Sequence, residues 1–241
     1  MNIVVLLAGG MGSRMNAATA KQHLIIRQHQ IIEYTIMAFS VCKSVDSILV
    51  VSNAMHLKEV EDLKIKFQKL KYVIEGGSTR IESVLNAVKA LQKICNENDK
   101  IIISDAARPC ITTREIEDIL CLLDKNIAVT SGIESYETIL KTENGEISQI
   151  INRDGIVRQT SPEGYRFSTL KWLYIDANKE IISSYKNIGI DQLYGSGVKV
   201  GIVKSNPLNF KITTQSDLQL FDTVVKNGFY KFLENNLDTE S

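Results

Sequence analysis

Short apolar runs alternate with segments of helical periodicity along most of the chain. Residues 3–7 (IVVLL) are apolar without interruption, which is typical of a strand covered on both faces. Similar runs predict strands at residues 47–52, 71–75, 100–106, 126–132 and 198–204. Between two of these runs, apolar residues recur with the period of a half-buried helix at Val84, Ala87, Val88, Leu91 and Ile94. The alternation predicts an α/β fold in which helices cover both faces of a mostly parallel sheet.

Threonines mark the starts of two more predicted helices. Thr113 precedes apolar residues at helical spacing and is expected to cap the helix that they form. Either Thr213 or Thr214 is expected to cap the closing helix, whose apolar residues begin at Leu218. Residues 168–184 also have helical periodicity.

The helical rhythm fails at about residues 134–167, where two β-rich segments flank Asn144-Gly145. Asn-Gly is a strong signal for a two-residue hairpin turn. A hairpin inserted into an α/β chain projects from the sheet, so we expect residues 134–167 to form an arm. Isoleucines such as Ile147 and Ile150 give this arm apolar surface, which favours a homodimer. The simplest organisation is a single domain over residues 1–241 that carries the arm.

Composition and charge are those of an ordinary globular protein. Hydrophobic residues make up 44% of the chain, and 28 basic residues balance 28 acidic ones. Because the net charge is zero, no global field favours nucleic acid or an anionic membrane, and phosphate chemistry needs a local cationic site. The first apolar run is short and ends in glycines, which argues against a signal peptide or a membrane span and favours the cytoplasm.

The cysteines and histidines give no sign of metal chemistry. The four cysteines form no C-x-x-C pair and lie in apolar segments, which predicts reduced thiols in or near the core. The three histidines, at positions 23, 29 and 56, lack metal-ligand spacing, which argues against a zinc or iron site.

The first strand ends in a loop with Gly9, Gly10 and Gly12, followed by Arg14 and Lys21. In parallel α/β sheets, ligands bind at the carboxyl ends of the strands. Glycines let backbone N–H groups approach a ligand, and the two cations indicate that this ligand is an anion. A tight turn without a ligand is the alternative.

Two further loops follow predicted strands and carry candidate site residues. One contains Gly76-Gly77, with Ser83 just beyond, and the other begins at Asp105. Asp105 is suited to hold the magnesium ion that accompanies a triphosphate, although a solvated strand end has the same pattern.

Three cations near these loops have two interpretations each. Arg80 and Arg108 either contact substrate or pair with acids, and Lys211 is either a site residue or a surface lysine. Other common motifs are missing from the sequence: there is no Walker A string and no G-x-S-x-G elbow, and Met15 replaces the third glycine of a dinucleotide fingerprint.

Six strings in a fixed order resemble one cytidylyltransferase family. They are LAGGMGSRM with KQHL, GGSTRIESV, DAARP, ETILK, NRDGIVRQTSPEGY and NFKITTQSDL, and they span nearly the whole chain. The best known members are 2-C-methyl-D-erythritol 4-phosphate cytidylyltransferase and ribitol-5-phosphate cytidylyltransferase. The resemblance implies a nucleotidyltransferase-type (Rossmann-like) sandwich whose projecting β-hairpin arm interlocks two subunits.

The resemblance also implies a reaction in which CTP and a polyol phosphate give a CDP-alcohol and pyrophosphate, with Mg²⁺. Arg14, Lys21 and Lys211 match catalytic cations of the family, and Asp105 matches its magnesium-binding aspartate. The positions that match CTP contacts are Ala8, Gly9, Gly10, Gly12, Gly77, Ser78, Ser83, Asp105 and Ala106.

The acceptor side departs from the family. Thr138, Arg153 and Ser161 match positions that bind the acceptor, and Arg153 is expected to reach it across the dimer. The family's Thr-Pro-Gln is Ser161-Pro162-Glu163 here, so a carboxylate replaces a neutral amide, and Ile190-Asp191 is the nearest counterpart of a Thr-Asp pair. We therefore expect the same chemistry with a changed acceptor, used for a capsule or wall polymer rather than for an isoprenoid precursor. The alternatives are a nucleotidyltransferase for a sugar phosphate and a nucleotide-binding protein without turnover.

Overall fold

A computed structural model of the chain describes residues 1–10, 20–176 and 189–228. Its strands are β1 (Asn2–Ala8), β2 (Ile25–Ile26), β3 (His29–Gln30), β4 (Ser47–Ser52), β5 (Leu70–Glu75), β6 (Lys100–Asp105), β7 (Ala128–Glu134), β8 (Ile139–Glu143), β9 (Glu146–Ile151), β10 (Val157–Arg166) and β11 (Gly201–Lys204). Its helices are α1 (Ile31–Ser40), α2 (Leu57–Asp62), α3 (Arg80–Leu91), α4 (Thr113–Leu122), α5 (Phe167–Lys171), α6 (Ile190–Gly195) and α7 (Gln215–Lys226). A 3₁₀ turn spans Lys21–His23, and a π-helical segment, Trp172–Asp176, follows α5.

Seven strands form the main sheet in the order β11-β7-β10-β6-β1-β4-β5. β1 lies between β4 and β6 and is parallel to both, β5 is parallel to β4, and β11 is parallel to β7. Among the described strands of this sheet, β10 alone runs antiparallel to its neighbours, β6 and β7. The prediction of a mostly parallel sheet between helices is confirmed.

The central strands alternate their side chains between two hydrophobic clusters, one on each face of the sheet. Val4 and Leu6 of β1 belong to the cluster that includes α1, α4 and α7, whereas Ile3 and Val5 belong to the cluster that includes α3, α5 and α6. Each of the four side chains is buried. Full burial of such a side chain stabilises the fold by about 1.5–3 kcal/mol, so a strand covered on both faces needs an apolar residue at every position.

Several predicted boundaries shift by one to three residues. The strands predicted at residues 126–132 and 198–204 are β7 and β11, which begin two and three residues later. Thr112, not Thr113, caps α4, because Thr112 has extended backbone angles and its hydroxyl accepts the backbone N–H of Glu115.

The two remaining helix predictions have different outcomes. Thr214 caps α7 in a capping box with Asp217, as one of the two predicted alternatives. The helix predicted at residues 168–184 is observed as α5 and the π-helical segment up to Asp176, and residues 177–188 lie outside the described part of the chain.

The arm is shorter than predicted. β8 and β9 pair as a hairpin whose turn residues, Asn144 and Gly145, have positive φ angles of 54° and 86°, as the Asn-Gly signal predicted. Residues 157–166, which the prediction assigned to the arm, return to the main sheet as β10.

Strand β10 was not predicted as a strand of the main sheet, because its sequence contains proline and glycine instead of an apolar run. Pro162 lies where the register between β10 and β7 shifts, between Thr160 and Glu163, and such an irregularity tolerates a residue without an N–H group. A Cβ atom on Gly164 would lie 2.5 Å from Cγ2 of Ile119 in α4. The strand therefore needs a glycine at this position to let the helix pack closely.

The cysteines and histidines differ in part from the predictions. All four cysteines are free; Cys42 and Cys110 are buried, but Cys121 is exposed. His23 and His56 stack face to face with ring centroids 3.8 Å apart, and Glu59 contacts both, a cluster that the sequence spacing did not indicate. These three side chains each offer one ligand atom, and the three atoms lie within 4.8 Å of one another. An imidazole binds a metal ion in the plane of its ring, so the stacking of the two rings, which are inclined by 14°, is unfavourable for binding one ion through both.

Within the described ranges, the helices are all too short or too polar to cross a lipid bilayer.

Candidate active site

Eight of the predicted site residues line one cavity near the carboxyl ends of β1, β5 and β6. This main cavity has a volume of about 330 Å³. Its predicted lining residues are Gly9, Gly10, Lys21, Gly77, Ser78, Ser83, Asp105 and Lys211. The three loops that the sequence analysis selected therefore meet at one place, as the rule for parallel α/β sheets requires.

Gln22 fixes the first loop. It is buried, and its side-chain Nε2 donates hydrogen bonds to the carbonyl oxygens of Ala8 and Gly10, the latter at 3.1 Å. Gln22 belongs to the 3₁₀ turn that also contains Lys21. The two hydrogen bonds hold that turn against the end of β1, and Lys21 lies on the cavity wall as a result.

The loop between β5 and α3 packs tightly against the first turn of the helix. Ser83 Oγ accepts the backbone N–H of Gly77 at 3.1 Å, and Glu82 accepts both the N–H and the hydroxyl of Ser78, at 2.7 and 2.6 Å. Thr79 caps α3 by accepting the N–H of Glu82. A Cβ atom on Gly77 would lie 2.2 Å from the Cβ of Glu82, so only glycine fits there without a shift of the loop.

Asp105 is surrounded by three cations. Arg80 Nη1 lies 2.9 Å from its Oδ1, while Lys211 Nζ and Arg108 Nε lie 3.0 and 3.3 Å from its Oδ2. Burial raises the pKa of Asp105, but the charges of Lys211, Arg80 and Arg108 outweigh it and lower the pKa to about 2. Asp105 is therefore ionised at neutral pH, and the cluster keeps an excess of positive charge that suits a polyanion.

Lys211 reaches this cluster through the segment between β11 and α7. The N–H of Ile212 donates to the carbonyl oxygen of Ala107 at 2.9 Å, and Arg108 Nη1 donates to the carbonyl oxygen of Asn209 at 2.9 Å. These bonds tie the segment to the loop after Asp105. Lys211, which the sequence left as either a site residue or a surface lysine, lines the main cavity. Arg80 and Arg108, which the sequence left as either substrate contacts or partners of acids, both pair with Asp105.

Some predicted residues do not line the main cavity. Ala8 and Ala106 are buried beside it. The backbone N–H of Ala106 donates to the carbonyl oxygen of Leu7, and the carbonyl oxygen of Ala106 accepts a hydrogen bond from the Thr35 hydroxyl. Ser161 is also buried, with its Oγ 3.4 Å from that of Ser104. Gly12 and Arg14 lie outside the described residues.

Thr138 and Arg153 lie at the base of the arm. Both are exposed, and the Arg153 guanidinium donates to the carbonyl oxygen of Tyr136. Neither residue lines the main cavity of the same copy of the chain. On the arm itself, the side chains of Ile147 and Ile150 are 61% and 69% exposed.

A second cavity of about 490 Å³ adjoins the main cavity at Thr79 and Arg80, which line both. Glu163 lies on its wall, where Tyr165 Oη donates to Oε2 at 2.7 Å and Gln159 Nε2 donates to Oε1 at 3.1 Å. Burial raises the pKa of Glu163, and the Tyr165 hydroxyl and the Arg80 charge oppose that rise. Glu163, which the sequence analysis linked to the acceptor, thus lies beside the main cavity and not in it.

Five other residues that line the main cavity were not identified from the sequence as site candidates, namely Leu7, Gln22, Thr79, Ala107 and Thr213. Gln22 is part of the KQHL string, and a polar residue between Lys21 and an apolar segment was a usable signal. Ala107 offered none, because its contribution depends on how the chain turns after Asp105.

Asp105 is the one carboxylate among the described residues that line the main cavity. Proteins hold Mg²⁺ with one or two carboxylates together with substrate phosphates. A single ionised carboxylate beside a cationic wall therefore fits a divalent cation that arrives with a triphosphate better than one that binds alone.

Comparison with known proteins agrees with this geometry. The sequence matches the family of 2-C-methyl-D-erythritol 4-phosphate cytidylyltransferase (IspD) over residues 2–227. The chain is 33% identical, over 97% of its length, to the bifunctional ribulose 5-phosphate reductase/CDP-ribitol pyrophosphorylase of Haemophilus influenzae, and it spans 50% of that relative's length. It is also 33% identical to the 2-C-methyl-D-erythritol 4-phosphate cytidylyltransferase of Thermosipho africanus, where the match covers 91% of the chain and 96% of the relative.

A solved structure has the same fold. The crystal structure of 4-diphosphocytidyl-2C-methyl-D-erythritol synthase from Anaerococcus prevotii superposes with a TM-score of 0.78 at 21% identity, covering 94% of the chain and 98% of that structure. The predicted nucleotidyltransferase-type fold is confirmed. The chain therefore belongs to the 2-C-methyl-D-erythritol 4-phosphate cytidylyltransferase family and is a nucleotidyltransferase that uses CTP.

Proposed function

We propose that the chain transfers the cytidylyl group of CTP to a polyol phosphate, giving a CDP-alcohol and pyrophosphate. The observation that carries this proposal is the Asp105 cluster, in which three cations converge on one ionised carboxylate at the wall of a cavity closed by two glycine-containing loops. The cluster has the charge to hold a triphosphate and a carboxylate for the accompanying cation.

The chemistry requires charge and positioning rather than a base. A phosphate oxygen of the acceptor attacks the α-phosphorus of CTP, and the bond from that phosphorus to the pyrophosphate oxygen breaks. A phosphate monoester is largely ionised at neutral pH, since its second pKa is about 6, so no group has to remove a proton. The difficulty lies in bringing two polyanions together and stabilising the charge that builds up in the transition state.

The residues of the main cavity would bind the phosphates, the divalent cation and the nucleotide. Lys21 and Lys211 lie on the wall and offset the phosphate charge, and Arg14, from the first loop, is proposed to act with them. Asp105 would hold Mg²⁺ or another divalent cation, which neutralises phosphate charge when bound. The nucleotide would lie against the loops at Gly9 and Gly77, with Ser78 and Ser83 beside it.

We propose that the acceptor site is completed by the arm of a second copy of the chain. Thr138 and Arg153 match acceptor-binding positions but do not line the main cavity of their own copy. Ile147 and Ile150 expose apolar surface on the same arm, and a homodimer would cover it.

For the acceptor we favour a pentitol phosphate such as ribitol 5-phosphate. The Haemophilus influenzae relative is named as a CDP-ribitol pyrophosphorylase, and the departures from the family pattern cluster around Ser161-Pro162-Glu163. The product would then serve a cell-surface polymer. The second candidate is 2-C-methyl-D-erythritol 4-phosphate, after which the Thermosipho africanus relative is named, and the product would then lead to isoprenoids.

The deciding experiment measures pyrophosphate release with Mg²⁺, with CTP, UTP or dTTP, and with a panel of acceptors: ribitol 5-phosphate, 2-C-methyl-D-erythritol 4-phosphate, glycerol 3-phosphate and several sugar 1-phosphates. Turnover with one polyol phosphate, lost in Asp105→Asn, is the expected result. Preference for UTP or dTTP with a sugar phosphate would replace the proposal with the sugar nucleotidyltransferase alternative. Binding of CTP with no release across the panel would favour a nucleotide-binding protein without turnover.

A further inference from the structure

Both carboxylate oxygens of Asp105 are occupied by cations of the protein itself. Arg80 pairs with Oδ1, while Lys211 and Arg108 share Oδ2. A divalent cation that binds Asp105 needs one of these oxygens. Oδ2 already has two partners, one for each of its lone pairs, whereas Oδ1 pairs with Arg80 alone and has a second lone pair for a metal ion. A divalent cation at Oδ1 would lie beside the Arg80 guanidinium, and the repulsion between the two positive charges favours movement of Arg80.

The three cations differ in their freedom to move. The Arg108 side chain is only 15% exposed and is bound to the carbonyl oxygen of Asn209. Lys211 lines the main cavity, where the phosphates of a nucleotide would attract it. Arg80 is 49% exposed and lies at the border between the two cavities, so it is the cation that can vacate Oδ1 by turning into the second cavity.

The second cavity offers Arg80 another carboxylate. Glu163 lies on the wall of this cavity, and hydrogen bonds from Tyr165 and Gln159 fix the orientation of its two oxygens. The Arg80 charge already opposes the burial that raises the pKa of Glu163, so the two groups attract each other across the cavity. Asp191 lines the same cavity and adds to its negative charge.

We propose that Glu163 is a positioning residue that receives the Arg80 guanidinium when Asp105 binds a divalent cation together with CTP. This inference rests on the proposed function, because that function assigns the cation to Asp105. With Glu163 present, Arg80 exchanges one carboxylate partner for another. With a neutral amide at position 163, Arg80 would stay on Asp105 and compete with the metal ion.

The test measures binding of Mn²⁺ with CTP to the full chain, by electron paramagnetic resonance of free Mn²⁺, so that it does not depend on turnover. Glu163→Gln keeps the shape of the side chain and removes its charge, and we expect it to weaken binding about five- to tenfold. In an Arg80→Gln background, the same substitution should change binding less than about twofold, because the group that Glu163 positions is missing. Arg80→Gln alone should bind Mn²⁺ without nucleotide several-fold more tightly than wild type, because Oδ1 no longer carries an ion pair.

The outcomes separate the inference from its alternatives. Equal losses in both backgrounds, or unchanged binding in Glu163→Gln, would overturn it, because Glu163 would then act through folding or not at all. If Glu163→Gln does not fold, the Arg80→Gln variant decides. The inference is then refuted if Arg80→Gln binds Mn²⁺ no more tightly than wild type. If wild type binds Mn²⁺ with CTP no better than Asp105→Asn, the proposed cation site fails as well, whereas a failure confined to Glu163 leaves the proposed function standing.

Discussion

Replacement of Lys211 by methionine tests the role of the cationic cluster most directly. Lys211 Nζ lies 3.0 Å from Asp105 Oδ2 and on the wall of the main cavity, so the substitution removes one positive charge and leaves a side chain of similar length. It also leaves Asp105 with two of its three cations, so its pKa is expected to rise from about 2.

The size of the effect follows from what Lys211 contacts with and without nucleotide. Its ion pair with Asp105 is partly exposed, with 38% of the Lys211 side chain open to solvent, so that pair contributes about 1 kcal/mol or less. A hydrogen bond to a charged phosphate contributes about 1.5–3 kcal/mol, which corresponds to about 10- to 150-fold weaker CTP binding when it is lost. A donor aimed at the charge of the transition state contributes about 10²- to 10³-fold to kcat.

Titration calorimetry with CTP and Mg²⁺ measures the binding loss without any acceptor, and pyrophosphate release with the acceptor found in the panel measures kcat. Lys204→Met is the matched control, because Lys204 pairs with Glu134 at 3.3 Å on the surface, outside the main cavity. Thermal unfolding of both variants checks that the fold is intact. A CTP affinity within twofold of wild type together with a kcat within threefold would refute the assignment of Lys211 to the reacting phosphates.

Three further predictions follow from the packing and charge of the described residues. Gly77→Ala should weaken CTP binding at least about tenfold by calorimetry, because its Cβ would lie 2.2 Å from that of Glu82 and the loop must shift; unchanged affinity would contradict the placement of CTP. Ionised Asp105 should contribute about 2 kcal/mol to the free energy of unfolding, because its folded pKa of about 2 lies below the ordinary value of 3.8. That contribution is present above pH 3.8 and is lost as the pH falls through 2, so the difference between wild type and Asp105→Asn in urea unfolding should shrink from pH 5 to pH 2, and a constant difference would contradict it. Ile150→Asp should convert the proposed dimer to a monomer in light scattering and reduce turnover, whereas Asp154→Ser, at an exposed position in the same arm, should do neither.

The parallel part of the sheet could be predicted because its strands are covered on both faces. Residues 48–51 and 101–103 are apolar without interruption, and the structure buries each of them. Strand β10 could not be predicted in this way, since Pro162 and Gly164 interrupt it. The reasons for tolerating both, a register shift and a closely packed helix, exist only in the folded molecule.

The site was predictable as a set of loops but not as a set of contacts. Gly9 and Gly77 follow strands and Asp105 ends one, and the carboxyl-end rule places such loops together. The pairing of Arg80 and Lys211 with the same carboxylate depends on segments far apart in the sequence, and no local pattern encodes it. Ala8 and Ala106 match CTP-contacting positions, but both are buried, and it is their neighbours Leu7 and Ala107 that line the main cavity.

The position of β10 has a consequence for how the chain assembles. β7 and β10 pair along most of their lengths, and the chain between them contains the β8–β9 hairpin, so residues 128–166 form one extended antiparallel unit. Paired residues of β7 and β10 are 23 to 37 positions apart (157 − 134 and 165 − 128), whereas those of β10 and β6 are 60 to 66 apart (163 − 103 and 166 − 100). Closing short loops costs less conformational entropy than joining distant segments, which favours early formation of this unit. Its later docking against β6 is the long-range step, and that step sets β10 beside the strand that ends in Asp105. We therefore expect the arm to form before β10 pairs with β6.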